Sequence, residues 1–354
     1  MRAIGALLLS LALLVSACSD GAAEETTTTT TTPATTTTTR ATTTTTRATT
    51  TTTIDDRTTS PINGLPIDDP ELLDRRALVV KIDNHPNARP QTGLDAADAV
   101  IELTVEGITR LVAVFHAGDA EVVGPIRSMR PTDGQLARLF EAPLVTSGGQ
   151  DWVSSEVRST GTSILGEVGS PQTFRSRSRR APHNLYGNTM ALRDLADDRG
   201  YDDTTPDPIW AFGDLPDGGE AASVVDLPFT PSAHIEWTWD GERYTKETNG
   251  VPHEWITADG EAEQMWAEVL VVLEMTTFTQ SPPPGGGPAK AVVSVGDGAA
   301  YVFAEGRVVT GTWERPTLDD TFTLRTDDGE ELTVPPGKVW IGFFDSDRTV
   351  GWDE

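Results

Sequence analysis

The 354-residue chain has a single cysteine, Cys18, so no disulfide can form within it and its folded part must be held by a hydrophobic core. Basic residues are scarce, with 27 Lys+Arg against 54 Asp+Glu and a net charge of -27. So acidic an exterior disfavours nucleic acid and anionic membrane surface as partners. Long apolar runs are missing too: the stretch 4–15 is too short to span a bilayer. HExxH, EF-hand and cysteine–histidine spacings are all absent, so neither a metal nor a cofactor is expected, although Asp83, His85, Glu102, Glu106, His116 and His183 are residue types that can ligate metals.

What the N-terminus does contain is the layout of a secretion signal, with Arg2 ahead of the apolar run. Val15-Ser16-Ala17-Cys18 closes that run, and small residues before a cysteine resemble the lipobox of bacterial lipoproteins, in which the cysteine is diacylated and becomes the new N-terminus. Residues 1–17 therefore read as a lipoprotein signal peptide and Cys18 as the lipidation site. Threonine blocks fill 26–53 and cannot bury apolar surface, so 18–60 reads as a disordered stalk. The expected location is the outer face of the cytoplasmic membrane, reached through lipid on Cys18.

The remaining residues suffice for two domains. An α/β domain with a mixed sheet and flanking helices is expected over 61–193, a linker-like segment over 194–233, and a β-rich domain over 234–354. Charge is uneven along the chain. Residues 76–185 hold 12 Lys+Arg and 12 Asp+Glu, so the other 15 Lys+Arg and 42 Asp+Glu carry the whole net charge.

The stretch 78–116 concentrates the chemistry. Its apolar runs 78–82, 99–105 and 111–115 read as buried strands, and polar groups at strand ends are how a rigid sheet displays a site. Asp83 and Asn84 end the first run before Pro86; both are turn formers, and carboxylates at strand ends also commonly face a ligand crevice. In an extended strand Glu102, Thr104 and Glu106 share one face. If that face is buried the carboxylates need partners, and Arg89 and Arg110 are nearest in sequence; if exposed, they need none. Arg127 and Arg130 precede a helix that Thr132 or Asp133 can cap, a good place for a carboxylate or phosphate. Alternatively the same arginines neutralise Glu102 and Glu106.

Ser147 follows a strand and precedes Gly148-Gly149, but it lacks the GxSxG elbow, and the run matches neither GxxxxGK[ST] nor GxGxxG. The segment 174–186 gathers four arginines with His183 and Asn184 and reads as a solvated loop, or as one that closes over the crevice or docks on the acidic second half. In that half Trp237, Trp239, Trp255, Trp266, Trp313 and Trp340 read as β-domain core, with a sugar-stacking platform as the alternative, and His234 and His253 as packed residues. The proline- and glycine-rich run 282–288 reads as a loop.

The sequences VVKIDNHPNARPQTGLDAADAVIELTVEGITRLVAVF, VGPIRSMRP, APHNLYGN and GTWERPTLDDTFTLRTDDGEELTVPPGKVWI resemble the YerB-like family of bacterial lipoproteins over nearly all of 62–344. The resemblance implies a lipid-anchored, envelope-facing protein with two domains of unknown function; it implies no reaction. Glu106-Gly107 stands where a Gly-Gly is usual, implying a tighter turn.

The residues expected to line a ligand crevice are Asp83, Asn84, Arg89, Glu102, Glu106, Arg110, Arg127, Arg130, His183 and Asn184, with no catalytic residue assigned. The leading expectation is an envelope binding or accessory module that takes an anionic wall-derived glycan, peptide or phosphate group. A hydrolase or transferase using Asp83 or Glu106 as general base is the second. A lipoprotein that docks an envelope protein, its charges serving only as internal salt bridges, is the third.

Overall fold

The computed structural model describes residues 58–354; the signal peptide, Cys18 and almost all of the stalk lie outside them. The first half supplies strands β1 (Leu78–Ile82), β2 (Ala99–Thr104), β3 (Thr109–Phe115), β4 (Leu144–Val145) and β5 (Ile164–Leu165). Then follow β6 (Val224–Thr230), β7 (Ala233–Trp239) and β8 (Tyr244–Thr248). The second half continues with β9 (Val269–Met275), β10 (Gly296–Ala304), β11 (Arg307–Arg315), β12 (Thr323–Thr326), β13 (Val339–Asp345) and β14 (Gly351–Asp353).

A mixed sheet in the order β12-β11-β10-β9-β13-β2-β3-β1-β4-β5 runs through both halves. The seam is the parallel pairing of β13 with β2, which sets Gly342 against Glu102. The described residues accordingly lie within one compact unit. The segment 194–233, read from its Asp, Pro and Gly content as linker-like, carries β6 and the end of a helix. Leu227 and Phe229 of β6 are buried, and alternation over only seven residues next to prolines is a weak sequence signal.

Every residue of β1, β2 and β3 is buried, because the sheet is covered on both faces. Helices α1 (Thr132–Leu139) and α2 (Asp151–Ser159) cover one face, where Val79, Ile101, Leu103 and Val112 meet Leu136, Val153 and Val157. Val153 and Val157, one helical turn apart, anchor α2, each contributing about 1.5–3 kcal/mol by burial. The second sheet, in the order β8-β7-β6-β14, covers the other face, where Leu78, Val80 and Val100 meet Leu227 and Trp237. A third helix, α3 (Thr189–Asp198), is capped by Asn188, which accepts the Ala191 N–H at 2.9 Å. Among the described residues no helix is long and apolar enough to cross a membrane.

The pleat decides which polar residues can meet. Lys81 and Arg110 point to the helical face with Val79 and Val112. Glu102 points to the second sheet with Val100. Arg110, although near in sequence, therefore cannot partner Glu102.

Candidate functional site

Two polar clusters result, one on each face of the sheet. Between the sheets, Glu102 is fully buried: Oε2 accepts from Lys246 Nζ at 2.6 Å and from the Trp340 indole at 3.1 Å, and Oε1 from Thr109 Oγ1 at 2.6 Å. Lys246 is equally buried and lies 5.2 and 4.9 Å from the ring centroids of Trp237 and Trp340. Asn84 donates to Thr109 Oγ1 at 2.8 Å and accepts from Arg89 Nε at 3.1 Å and Gln91 Nε2 at 2.9 Å. Glu102, Asn84 and Arg89, expected to face a ligand, are thus joined in an internal network with a β8 lysine that sequence proximity did not suggest.

On the helical face Arg110, Arg127 and Arg130 line one cavity of about 600 Å³. The turn after β2 turns Glu106 away from Glu102 and onto the rim. There Arg130 grips it bidentately, Nε to Oε1 at 2.5 Å and Nη2 to Oε2 at 2.8 Å. These bonds hold the Glu106 carboxyl well below the usual carboxylate range, at about 2, against the opposing effect of burial. A carboxylate so stabilised is a poor proton acceptor, which argues against Glu106 as a general base. The two remaining arginines are less satisfied. Arg110, 4% exposed, donates from Nη1 to Ser128 O at 2.7 Å, while its buried Nε has no hydrogen-bond partner among the described residues. Burial, then crowding by Arg130 and Arg127, lowers its pKa to about 10. Arg127 donates no side-chain hydrogen bond among the described residues; its Nε lies 3.4 Å from Asp83 Oδ2, an ion pair without hydrogen-bond geometry.

Helix α2 begins on the cavity wall at Gln150 and Val153, and no side chain caps its first turn. Thr132 and Asp133, expected as caps of α1, lie inside its first turn instead, after Pro131. Asp133 is occupied otherwise: fully buried, it accepts from Lys81 Nζ at 2.7 Å and from the Arg130 N–H at 2.7 Å.

Beside Arg127, Asp83 is 1% exposed and accepts from the His85 N–H at 3.1 Å, with His183 Nδ1 2.7 Å from Oδ2. A carboxylate so placed keeps the imidazole proton on Nδ1 and leaves Nε2 as the basic nitrogen. The rings of His85 and His183 stack 4.4 Å apart. His183 arrives on the arginine-rich loop, which folds back because Arg179 donates to Ala88 O at 2.6 Å and Pro90 O at 2.7 Å. Asn184, expected at the ligand, ties that loop together by donating to Ser176 O at 2.8 Å and Arg179 O at 3.1 Å. Among the described residues no group of three or more His, Cys, Asp or Glu is arranged to hold a metal.

In the second half Trp237, Trp255, Trp313 and Trp340 are core, as expected, while Trp239 and Trp266 are only partly buried and pack against it. His253 is packed between Thr248 and Gln91, but His234 is half-exposed and pairs with Asp226, because its β7 position faces solvent. The contribution of 282–288 was not read from the sequence: Pro288 and Ala289 complete the cavity wall. Another concavity, of about 290 Å³ beside Arg76 and Arg138, holds no comparable charge, since Arg76 is taken up by Asp197, Asp203 and backbone carbonyls.

A two-half sheet with a buried ionic seam and an arginine cavity built on the first half is the setting for the family comparison. Residues 62–202 match the family described as "Protein of unknown function (DUF3048) N-terminal domain", and residues 225–341 match its C-terminal domain. The chain belongs to this family. A relative from Bacillus subtilis (strain 168), named "Putative lipoprotein YerB", is 27% identical over 292 residues, covering 80% of this chain and 85% of that protein. The crystal structure of the YerB protein from Bacillus subtilis superposes with a TM-score of 0.71 at 24% identity, over 84% of this chain and all of that one, and shares the fold.

Proposed function

We propose that this protein is a lipoprotein anchored through Cys18 at the outer face of the cytoplasmic membrane, where it binds an anionic, wall-derived group in the arginine cavity. The observation that carries the reading is the convergence of three guanidiniums on one cavity, with Arg110 Nε and the whole Arg127 side chain lacking hydrogen-bond partners among the described residues. Among the described residues the carboxylates paired with them are Glu106, gripped by Arg130, and Asp83, shared with His183. An oxyanion in the cavity would meet the Arg127 guanidinium, which no described hydrogen bond occupies. The small residues before Cys18 and the name of the Bacillus subtilis relative support the anchor.

In thermal unfolding of the full-length chain, inorganic phosphate at a hundred times its dissociation constant adds about 2.7 kcal/mol of stability. Arg127→Ala and Arg110→Ala abolish the shift, and Cys18→Ser moves the protein out of the membrane fraction. A shift that survives in folded Arg127→Ala and Arg110→Ala would remove the cavity from the reading.

The Asp83–His183 pair favours a second reading, a hydrolase or transferase in which His183 rather than a carboxylate takes the proton and Asp83 orients it. Turnover of a wall fragment, lost in both His183→Gln and Asp83→Asn while binding persists, is its expected signature. Binding by the wild type without turnover leaves the first reading alone.

A further inference from the structure

The arginine cavity does not end at α2. Through walls shared at Gly149 and Gln150 it continues into a second concavity of about 470 Å³, lined by Asp151, Trp152 and the turn made by Pro283, Pro284 and Gly286. Trp152 is half-buried and packs against the core while also lining this space. The turn is fastened beside it by Gln150, whose Oε1 accepts from the Gly287 N–H at 2.6 Å and from the Trp152 indole at 3.3 Å, and whose Nε2 donates to Gly287 O at 3.2 Å. Gly286 lies so near that a Cβ there would be 2.8 Å from the indole ring. An aromatic ring is therefore held at a fixed place next to the anion cavity.

Resting on the anion-binding reading, we infer that the ligand is a sugar phosphate, its phosphate in the arginine cavity and its sugar ring in the Trp152 groove. The C–H face of a sugar packs against flat aromatic and proline surfaces, and its hydroxyls need polar groups close by. Trp152 and the prolines supply the first requirement and Asp151, exposed and bonded to no described side chain, the second. Asp151 also orients the ligand, since its carboxylate repels the phosphate toward the arginines and accepts hydrogen bonds from the sugar hydroxyls. A lipid phosphate needs a long apolar trough for its chains, whereas the apolar side chains lining the groove beyond the arginine cavity are Trp152, Pro283 and Pro284. Nucleic acid is disfavoured by the net charge of -27.

The test is calorimetric titration of the full-length chain with inorganic phosphate, N-acetylglucosamine, N-acetylglucosamine 1-phosphate and phosphatidylglycerol vesicles. The sugar phosphate binds about tenfold tighter than phosphate, the free sugar scarcely binds, and the vesicles gain nothing from Trp152. Trp152→Leu, which keeps apolar bulk against the core, removes the tenfold gain and leaves phosphate affinity unchanged; Trp152→Phe, which keeps a flat ring, retains most of the gain. Equal affinity for phosphate and sugar phosphate, or a gain that survives in Trp152→Leu, overturns the sugar site while the anion cavity stands. Vesicles that match the sugar phosphate overturn it in favour of a headgroup. Absence of binding by phosphate and sugar phosphate alike removes both readings.

Discussion

Lys246→Met lowers the free energy of unfolding by about 3–5 kcal/mol, a large share of what a domain ordinarily has. Methionine fills much of the space between Trp237 and Trp340, so the loss is not mainly one of packing. It comes from Glu102, left fully buried with its hydrogen bonds from Trp340 and Thr109 but without its cation. Adding Glu102→Gln to Lys246→Met returns most of the loss, because an amide can still accept from the indole and carries no charge to bury. Denaturant unfolding at matched m-values decides it; a single variant within 1 kcal/mol of wild type would show that the pair does not hold the sheets together. A pH dependence of separate origin comes from Lys338: burial lowers its pKa to about 8, so between about pH 8 and its ordinary 10.5 the unfolded chain holds more protons than the folded one and the lysine's contribution to stability rises with pH across that window.

The Glu102–Lys246 pair also marks where the sequence stopped being readable. The strands 78–82 and 111–115 were visible because a sheet covered on both faces leaves uninterrupted Val- and Ile-rich runs. The partner of Glu102 was invisible because Lys246 is 144 positions away and appears, in sequence, as one lysine in an alternating hairpin. Pleat parity correctly placed Glu102 on one face, but Glu106 left it when the strand ended at Thr104, and a strand end cannot be located to one residue from apolar periodicity. The placement of Arg127 and Arg130 together is legible from their density just before a helix, and Arg110 joins them from the strand on the same face. The turn at Pro283 and Pro284 that extends their cavity is not legible, since a loop's placement depends on contacts such as Gln150 with Gly287 that no local pattern encodes. Asn184 and Arg89 lie beside functional-looking motifs yet turn inward to bond backbone and side-chain amide groups.

Asp133→Ala has an effect of similar size, about 3–5 kcal/mol, and unlike Lys246→Met it also reaches the cavity. One Asp133 oxygen neutralises Lys81, which is fully buried and whose pKa is lowered by burial first, with Arg110 and Arg130 adding to the lowering. The other oxygen holds the Arg130 N–H and so fixes the loop that aims Arg127 and Arg130 into the cavity. Alanine removes both functions, whereas Asp133→Asn removes the charge and keeps an acceptor for the Arg130 N–H. The two variants are therefore similarly destabilised through Lys81, but phosphate affinity falls in Asp133→Ala and is largely kept in Asp133→Asn. Adding Lys81→Met to Asp133→Asn restores stability, because no charge is then left unpaired. Equal phosphate affinity in Asp133→Ala and wild type would mean that the loop is aimed without Asp133, by its other bonds, among them the Arg127 N–H to Lys81 O, the Met129 N–H to Gly148 O and Arg110 Nη1 to Ser128 O. Since Lys81 lies in β1 and Asp133 in α1, the pair joins the sheet to the helix behind the arginines, and the stability of the fold and the aim of the arginines draw on the same buried carboxylate.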